Sequence, residues 1–145
     1  MKVAAPFAAL VLAGCSAAPQ PTAPATGTEL LETYWRPVEI GGTPLTMHPG
    51  TREPHIILRR EGARVTGFAG CNTLAGGFQQ DGATLRFGNL AMTRMACVGD
   101  AANKLEAAFT KALGDTNSYR ISGDTLELRD AAGVVRMRLT GRPLQ

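Results

Sequence analysis

The chain has 145 residues with 15 basic and 12 acidic side chains, which gives a formal net charge of +3. Once the N-terminal segment is set aside, the length fits one domain with a real hydrophobic core and is too short for two typical ones. Because the basic residues are interspersed with acidic ones, we expect no nucleic-acid partner.

The N-terminus has the layout of a secretory signal. Lys2 leads into an apolar run over residues 3–12, which is about half of the roughly 20 residues that a membrane-spanning helix needs. The tetrad Leu12-Ala13-Gly14-Cys15 resembles the bacterial lipoprotein signal, in which the cysteine is acylated and becomes the first mature residue. We therefore predict a signal peptide over residues 1–14 and lipidation, including palmitate, at Cys15. The alternative is an ordinary signal peptide whose cleavage site contains a cysteine.

Residues 15–27 are predicted to be the lipidated cysteine and a tether rich in proline and alanine. The segment carries no charge and no large apolar residue, so it cannot pack a core. In a polyproline-like conformation it would hold a domain up to roughly 37 Å from the lipid. By resemblance to sorting signals, Ser16 favours the outer membrane, facing the periplasm. Loss of Lys2 with the signal leaves 14 basic and 12 acidic residues, a net charge of +2.

Strand patterns dominate residues 28–145. Residues 34–40 are predicted to be the first strand, with Pro37 at an edge or a bulge because proline lacks a ladder donor. A hairpin follows over residues 55–60 and 64–69, and a strand over 84–87. Residues 119–121, 126–129 and 135–139 alternate apolar and polar side chains, which is typical of an antiparallel meander.

One segment has helical periodicity instead. Over residues 100–113, Leu105, Phe109 and Leu113 recur at four-residue spacing, with Asp100 as a predicted N-cap and Gly114 as a predicted stop. We expect this helix to pack across the side or mouth of the sheet. The predicted fold class is α+β: a strongly curved, mostly antiparallel β-sheet or partly open barrel with one packed α-helix.

The remaining two cysteines, Cys71 and Cys97, are open to three interpretations. A zinc site with His48 and His55 matches no common ligand spacing, and a catalytic thiol lacks a positioned base. Two thiols left in an exported domain usually pair, which favours a disulfide. We therefore expect no metal and no cofactor. In this interpretation Gly70 permits a turn out of a strand, Asn72 bonds its own backbone, and the chain re-enters a strand near Phe78.

Several motifs together resemble the META domain, also called HslJ-like, over about residues 30–139. The matching residues are Trp35, 40–45, Gly67-Phe68-Ala69-Gly70-Cys71-Asn72, Gly77-Phe78, 85–87, Met92-Thr93-Arg94-Met95-Ala96-Cys97, Glu106, Phe109, Leu113, Tyr119, Ile121 and 126–128. Two positions depart from the family: Pro37 replaces a leucine and Phe78 a tyrosine. The resemblance implies a β-rich domain with one helix, often on envelope lipoproteins associated with envelope or heat-shock stress, secretion or motility. It implies no catalytic residues, and it leaves the roles of Gly70, Asn72, Thr93 and Arg94 unassigned.

Two classes of function follow from these observations. The first is a non-enzymatic, monomeric module anchored in the cell envelope, which contacts an envelope protein or carries an apolar ligand inside the sheet. The second is a periplasmic enzyme whose site is assembled from scattered residues such as Thr93, Arg94, Asn72 and His55. We favour the first, with Asn72 and Thr93 satisfying turns and Arg94 on a solvated strand.

Overall fold

The computed structural model of the chain describes residues 27–47 and 51–144. The predicted signal peptide, Cys15, most of the tether and His48 lie outside these residues. Among the residues described, no helix combines the length and the apolarity that crossing a membrane requires.

Strands and a single α-helix form the described domain. The strands are β1 (Thr33–Ile40), β2 (Thr43–Pro44), β3 (His55–Arg59), β4 (Arg64–Phe68), β5 (Thr73–Asp81), β6 (Thr84–Met92), β7 (Ser118–Ser122), β8 (Thr125–Arg129) and β9 (Val135–Pro143). The helix α1 spans Asp100–Asp115, and a short 3₁₀ turn spans Glu61–Ala63.

The sheet closes into an antiparallel barrel of eight strands. Strands β3 to β9 pair in sequence order, and β1 pairs with β3 on one side and with β9 on the other. The short β2 pairs only with the end of β1. The prediction of a curved antiparallel sheet with one helix is confirmed, but the barrel is closed rather than partly open. Closure follows from the length of β9, which runs four residues beyond the predicted Leu139 and supplies β1 with a partner from Thr33 to Ile40.

Pro37 lies at a bulge, as predicted. Pro37 faces Leu139 of β9 and Glu39 faces Arg138, so Val38 is an extra residue on β1. A bulge relaxes the hydrogen-bonding demand on the strand, which lets proline occupy a strand that is paired on both sides.

Strands β5 and β6 are longer than the sequence predicts. β5 begins at Thr73, immediately after Asn72, rather than near Phe78. Gly76 and Gly77 lie inside it, at a register shift between Ala75 and Gly77. A Cβ on Gly76 would come within 2.8 Å of Leu90 Cδ2, so this glycine permits close packing of β6 rather than a strand start.

Helix α1 covers one mouth of the barrel and buries Phe109, Ala112 and Leu113. Its predicted position is confirmed, but both predicted caps are wrong. Gly99, with φ +91°, precedes the helix, and Asp100 is its first residue; Gly114 lies within the last turn. The helix ends at Thr116, whose N–H donates to the carbonyl of Leu113 and whose hydroxyl donates to that of Ala112.

The antiparallel topology gives the barrel two different ends. Residues 27–31, which precede β1, lie at the end that carries the β3–β4, β5–β6 and β7–β8 connections. Here Thr28 donates its N–H to the carbonyl of Gly123. The β4–β5 turn, the segment after β6 and helix α1 lie at the opposite end. We call these the entry end and the helix end.

Side chains fill the interior between the two ends. Trp35 is fully buried, and its indole N–H donates to the carbonyl of Leu30 at 2.9 Å. Gly141 lies against it, since a Cβ there would be 2.6 Å from Trp35 Cζ3. The other core side chains include Ile56, Leu58, Val65, Leu74, Phe78, Leu85, Phe109, Leu113, Leu126, Leu128, Met137 and Leu139.

The arginines of the terminal meander form ion pairs on the outer face. Arg138 contacts Glu39 at 2.6 Å and Glu127 at 3.2 Å, and Arg136 contacts Asp130 at 2.8 Å. The hydrogen bond from Arg129, followed by that from Arg138, outweighs burial and lowers the pKa of Glu127. This outer face is therefore solvated and charge-balanced, as the alternating pattern predicts.

Candidate functional site

The structure gathers most of the family-motif residues at the helix end. The β4–β5 turn brings Gly70, Cys71 and Asn72 against the segment between β6 and α1, residues 93–99. We call residues 93–99 the stapled loop. These two segments, with Glu106 of α1, form one hydrogen-bonded cluster.

The side-chain carbonyl of Asn72 fixes the stapled loop. Its oxygen accepts the backbone N–H of Met95 at 2.7 Å and the hydroxyl of Thr93 at 2.8 Å. Because a backbone N–H can only donate, the Met95 contact also settles which side of the amide carries the oxygen. The Asx-type turn predicted for Asn72 is therefore wrong: its side chain bonds residues more than 20 positions away.

The amide nitrogen of Asn72 points into a ring of acceptors. It donates to Glu106 Oε1 at 3.2 Å and lies 3.5 Å from the carbonyl oxygen of Met95. The sulfurs of Cys71 and Cys97 are 3.5 and 3.8 Å away. Asn72 is only 4% exposed, so its two polar atoms are satisfied almost entirely by the protein.

Glu106 connects the cluster to the helix. Its second oxygen accepts the backbone N–H of Asn72 at 2.8 Å. From the sequence, Glu106 is distinguished only as a family position, although it lies next to Leu105 on a helix face that is partly buried. The contact itself joins residues 34 positions apart, and no local pattern encodes it.

Thr93 extends the β5–β6 ladder past the end of β6. Its backbone N–H donates to the carbonyl of Thr73, and its hydroxyl accepts the N–H of Thr73 at 3.1 Å. Together with its bond to Asn72, these contacts fix the first residue of the stapled loop. A threonine that satisfies a turn is what the sequence predicts.

Gly70 allows the helix to approach the β4–β5 turn. Its φ is +107°, a conformation that L side chains rarely adopt, and a Cβ would lie 2.8 Å from Leu105 Cδ2. Glycine is therefore required here for helix packing as well as for the turn.

Cys71 and Cys97 form a disulfide with their Cα atoms 5.8 Å apart. The predicted pairing is confirmed. The bridge links the β4–β5 turn to the stapled loop across 26 positions.

The geometry does not support a zinc site that includes His55, nor a catalytic thiol at Cys71 or Cys97. Within the described residues, Cys71 and Cys97 lie near Glu106 rather than near His55, with the three ligand atoms within 4.8 Å of one another. Both sulfurs are consumed by the disulfide, and the amide nitrogen of Asn72 donates among the same acceptors. His55 lies on β3, stacked on Tyr34 at 4.4 Å, and burial lowers its pKa.

The stapled loop presents apolar side chains to solvent. Met95 is 59% exposed and Val98 is fully exposed, while the backbone between them is held by the disulfide and by Asn72. Arg94 is also exposed, but in this loop rather than on the predicted strand. Exposed large apolar side chains on a fixed backbone are more informative than single exposed residues on a mobile segment.

Comparisons with known proteins agree with this architecture. The family model of the META domain matches residues 28–142. An NMR structure of a protein from Burkholderia xenovorans superposes with a TM-score of 0.57 at 21% identity, covering 87% of this chain and 99% of that one. A second NMR structure superposes with a TM-score of 0.58 at 23% identity, covering 78% and 90%. These two likenesses show the fold alone, and no curated protein matches the chain.

Proposed function

Since the chain belongs to the META domain family, with the family-motif residues gathered around one loop, we propose that it is a non-enzymatic, membrane-tethered module of the cell envelope. Its stapled loop contacts an envelope protein, in a role connected with stress or secretion. The observation that carries the proposal is that the motif residues hold one loop in place. Asn72, Thr93 and the disulfide fix this loop, and the loop exposes Met95 and Val98 to solvent.

The direction of the loop supports a contact away from the membrane. Residues 27–31, which precede β1, lie at the entry end, whereas the stapled loop and α1 lie at the opposite end. A lipid anchor at Cys15, joined to the domain through residues 16–27, would therefore leave the stapled loop facing outward. This arrangement suits a domain that reaches for a partner beyond its own membrane surface.

The chemistry of the cluster favours binding over catalysis. A catalytic group needs a polar atom that can reach a substrate, and both side-chain polar atoms of Asn72 are turned toward protein partners. The thiols that would act as nucleophiles are joined to each other. The carrier alternative draws no support from the interior, because core side chains occupy the barrel axis.

Site-specific photo-cross-linking on intact cells tests the contact surface. A photoreactive residue at Val98 should give a discrete adduct with an envelope protein, and Met95→Glu in the same chain should abolish that adduct. The same probe at Ala83, an exposed residue of the β5–β6 hairpin at the entry end, is the matched control. Equal adducts from both positions, or none from Val98, would reject the stapled loop as the contact surface.

Fractionation tests the anchor separately. Cys15→Ser should give a chain that stays unprocessed or leaves the membrane fraction, because acyl chains supply about 0.8 kcal/mol of membrane affinity per buried CH₂ group. A variant that is processed and fractionates like the parent contradicts the lipoprotein assignment without bearing on the stapled loop.

A further inference from the structure

A shallow pocket lies on the outer face of the barrel where β1 meets β9. Its volume is about 260 Å³, and it is lined by Tyr34, Arg36, Glu53, Thr140, Gly141 and Arg142. In the ladder, Tyr34 faces Arg142 and Arg36 faces Thr140. Arg36 and Arg142 are therefore diagonal neighbours on one face, with Cα atoms about 7–8 Å apart and side chains long enough to meet.

The pocket has more positive than negative charge, whereas the neighbouring outer face of β9 is charge-balanced. Elsewhere on the outer face of β9, Arg136 and Arg138 each contact a carboxylate at 2.6–2.8 Å. Arg142 has no carboxylate within 4.0 Å among residues 27–47 and 51–144; its recorded partner is the ring of Tyr34, 5.2 Å away. Arg36 shares the pocket with one anion, Glu53, at the longer distance of 3.4 Å.

Aromatic contacts hold Arg142 and the ring of Tyr34 in place. The Tyr34 ring stacks on His55 with centroids 4.4 Å apart, and Arg142 covers Tyr34. Burial, reinforced by the Glu53 carboxylate, raises the pKa of Tyr34 above its ordinary value, which already keeps the phenol protonated at neutral pH. The pocket thus presents two guanidinium groups and two hydroxyl groups around a single carboxylate.

We propose that this pocket binds a phosphate monoester. A phosphate has three terminal oxygens, enough to accept from both guanidinium groups and a hydroxyl at once, whereas a carboxylate has two. Its charge of about −1.5 to −2 at neutral pH matches two arginines better than a monoanion does. A pocket of about 260 Å³ leaves room for a phosphate and a small substituent. This surface is separate from the stapled loop, so the inference is independent of the proposed function.

Glu53 occupies the place of a competing anion. Its carboxylate contacts Arg36 and interacts with the Tyr34 phenol, the same groups that a phosphate would use. The ligand must therefore displace or share this carboxylate. Removing its charge should strengthen binding, whereas removing the charge of Arg142 should weaken it.

Phosphate titrations of the full chain carrying Cys15→Ser, which lacks acyl groups, test the proposal by NMR. Inorganic phosphate, with ionic strength held constant by KCl, should shift the Tyr34 and Arg142 signals saturably. Arg142→Gln should weaken binding about tenfold or more, the value of a lost charge-assisted hydrogen bond. Glu53→Gln should tighten it by about threefold, as removal of a nearby surface charge predicts. Arg64→Gln, at an exposed arginine on β4, should leave binding unchanged.

Two further ligands distinguish the source of the phosphate. Glycerol 3-phosphate represents a soluble ester, and phosphatidylcholine vesicles with or without phosphatidic acid represent a lipid head group. Binding to either one with the same variant pattern supports the proposal and identifies the source. The proposal is overturned if phosphate causes no saturable shift at the pocket, or if Arg64→Gln weakens binding as much as Arg142→Gln.

Discussion

Asn72 makes contacts that its close relative aspartate cannot make. Its carbonyl oxygen accepts two hydrogen bonds while its amide nitrogen donates to Glu106. An aspartate could reproduce the acceptor side but would place a second carboxylate oxygen against Glu106. The neighbouring sulfurs and the Met95 carbonyl are also acceptors, so that oxygen would find no donor there.

Asn72→Asp should therefore destabilise the domain by about 3 kcal/mol at neutral pH, the cost of a nearly buried charge without a partner. Burial beside Glu106 raises the pKa of the introduced carboxyl group, so the loss should shrink as the pH falls from about 6 towards about 4, where the protonated group can donate a hydrogen bond. Urea unfolding of parent and variant at several pH values measures both effects. Asn89→Asp, at an exposed position on β6, is the control and should be nearly neutral. A loss that does not change with pH would mean that repulsion from Glu106 is not its cause.

At the scale of elements, the disulfide and the Asn72 cluster are two separate restraints on the same loop. The disulfide joins the loop covalently to the β4–β5 turn, and the cluster joins it to α1 through Glu106. Because Asn72 and Thr93 act without the sulfurs, the loop should keep its position when the bridge is removed.

The double change Cys71→Ser and Cys97→Ser should cost about 2–5 kcal/mol of unfolding free energy, since the bridge restricts the unfolded chain. Urea unfolding measures the loss, and amide exchange at Met95 reports whether the loop still rests on Asn72. The parent chain, denatured without reductant, should show no reactive thiol from Cys71 or Cys97. Two reactive thiols in freshly isolated protein would contradict the disulfide.

Helices and strands were predictable from the sequence where the side-chain pattern within the segment itself determines them. The terminal meander and α1 are set by side-chain periodicity, and the predicted positions agree with the structure. The start of β5 was predicted too late because glycines between two strand patterns are typical of a turn. Gly76 instead lies inside β5, where the absence of a Cβ leaves space for Leu90. The helix caps were misplaced for a similar reason, since Thr116 ends the helix through two hydrogen bonds that no glycine signal reveals.

The candidate site was predictable as a set of residues but not as an arrangement. The motif segments 67–72 and 92–97 identified Gly70, Asn72, Thr93 and the cysteine pair, and the structure brings them together. Their geometry depends on the barrel, which places the ends of β4 and β6 on either side of the start of β5, with α1 across them. Contacts such as Asn72 to Glu106 arise only once that placement exists.

At the scale of the molecule, buried side chains form one hydrophobic core inside the barrel. Phe109 of α1 is fully buried, and Trp35, Leu113 and Met137 are fully buried with it. A close-packed interior has no space that an apolar ligand can enter without displacing side chains.

Phe109→Ala should cost about 3–5 kcal/mol, because it removes a large buried ring and leaves a cavity. Val134→Ala, at a position that is 52% exposed, should change stability by less than about 0.5 kcal/mol. Thermal unfolding of the two variants checks the contrast, and native mass spectrometry of the parent should find no bound apolar molecule. Copurified lipid, or a melting temperature that rises with added lipid, would restore the carrier alternative.

The seam between β1 and β9 also determines how the domain must form. The Arg138–Glu39 contact across this seam joins residues 99 positions apart, and the N–H of Leu144 reaches the carbonyl of Glu32. Contacts at such separation form late, because the whole intervening chain must lose its freedom first. Until β9 docks, β1 and β8 each carry an unpaired edge that another copy can extend. The folded barrel has no such edge along this seam, so the chain is at risk of aggregation only before β9 pairs with β1 and β8. A chain truncated before Val135 would keep both edges unpaired and would stay at risk.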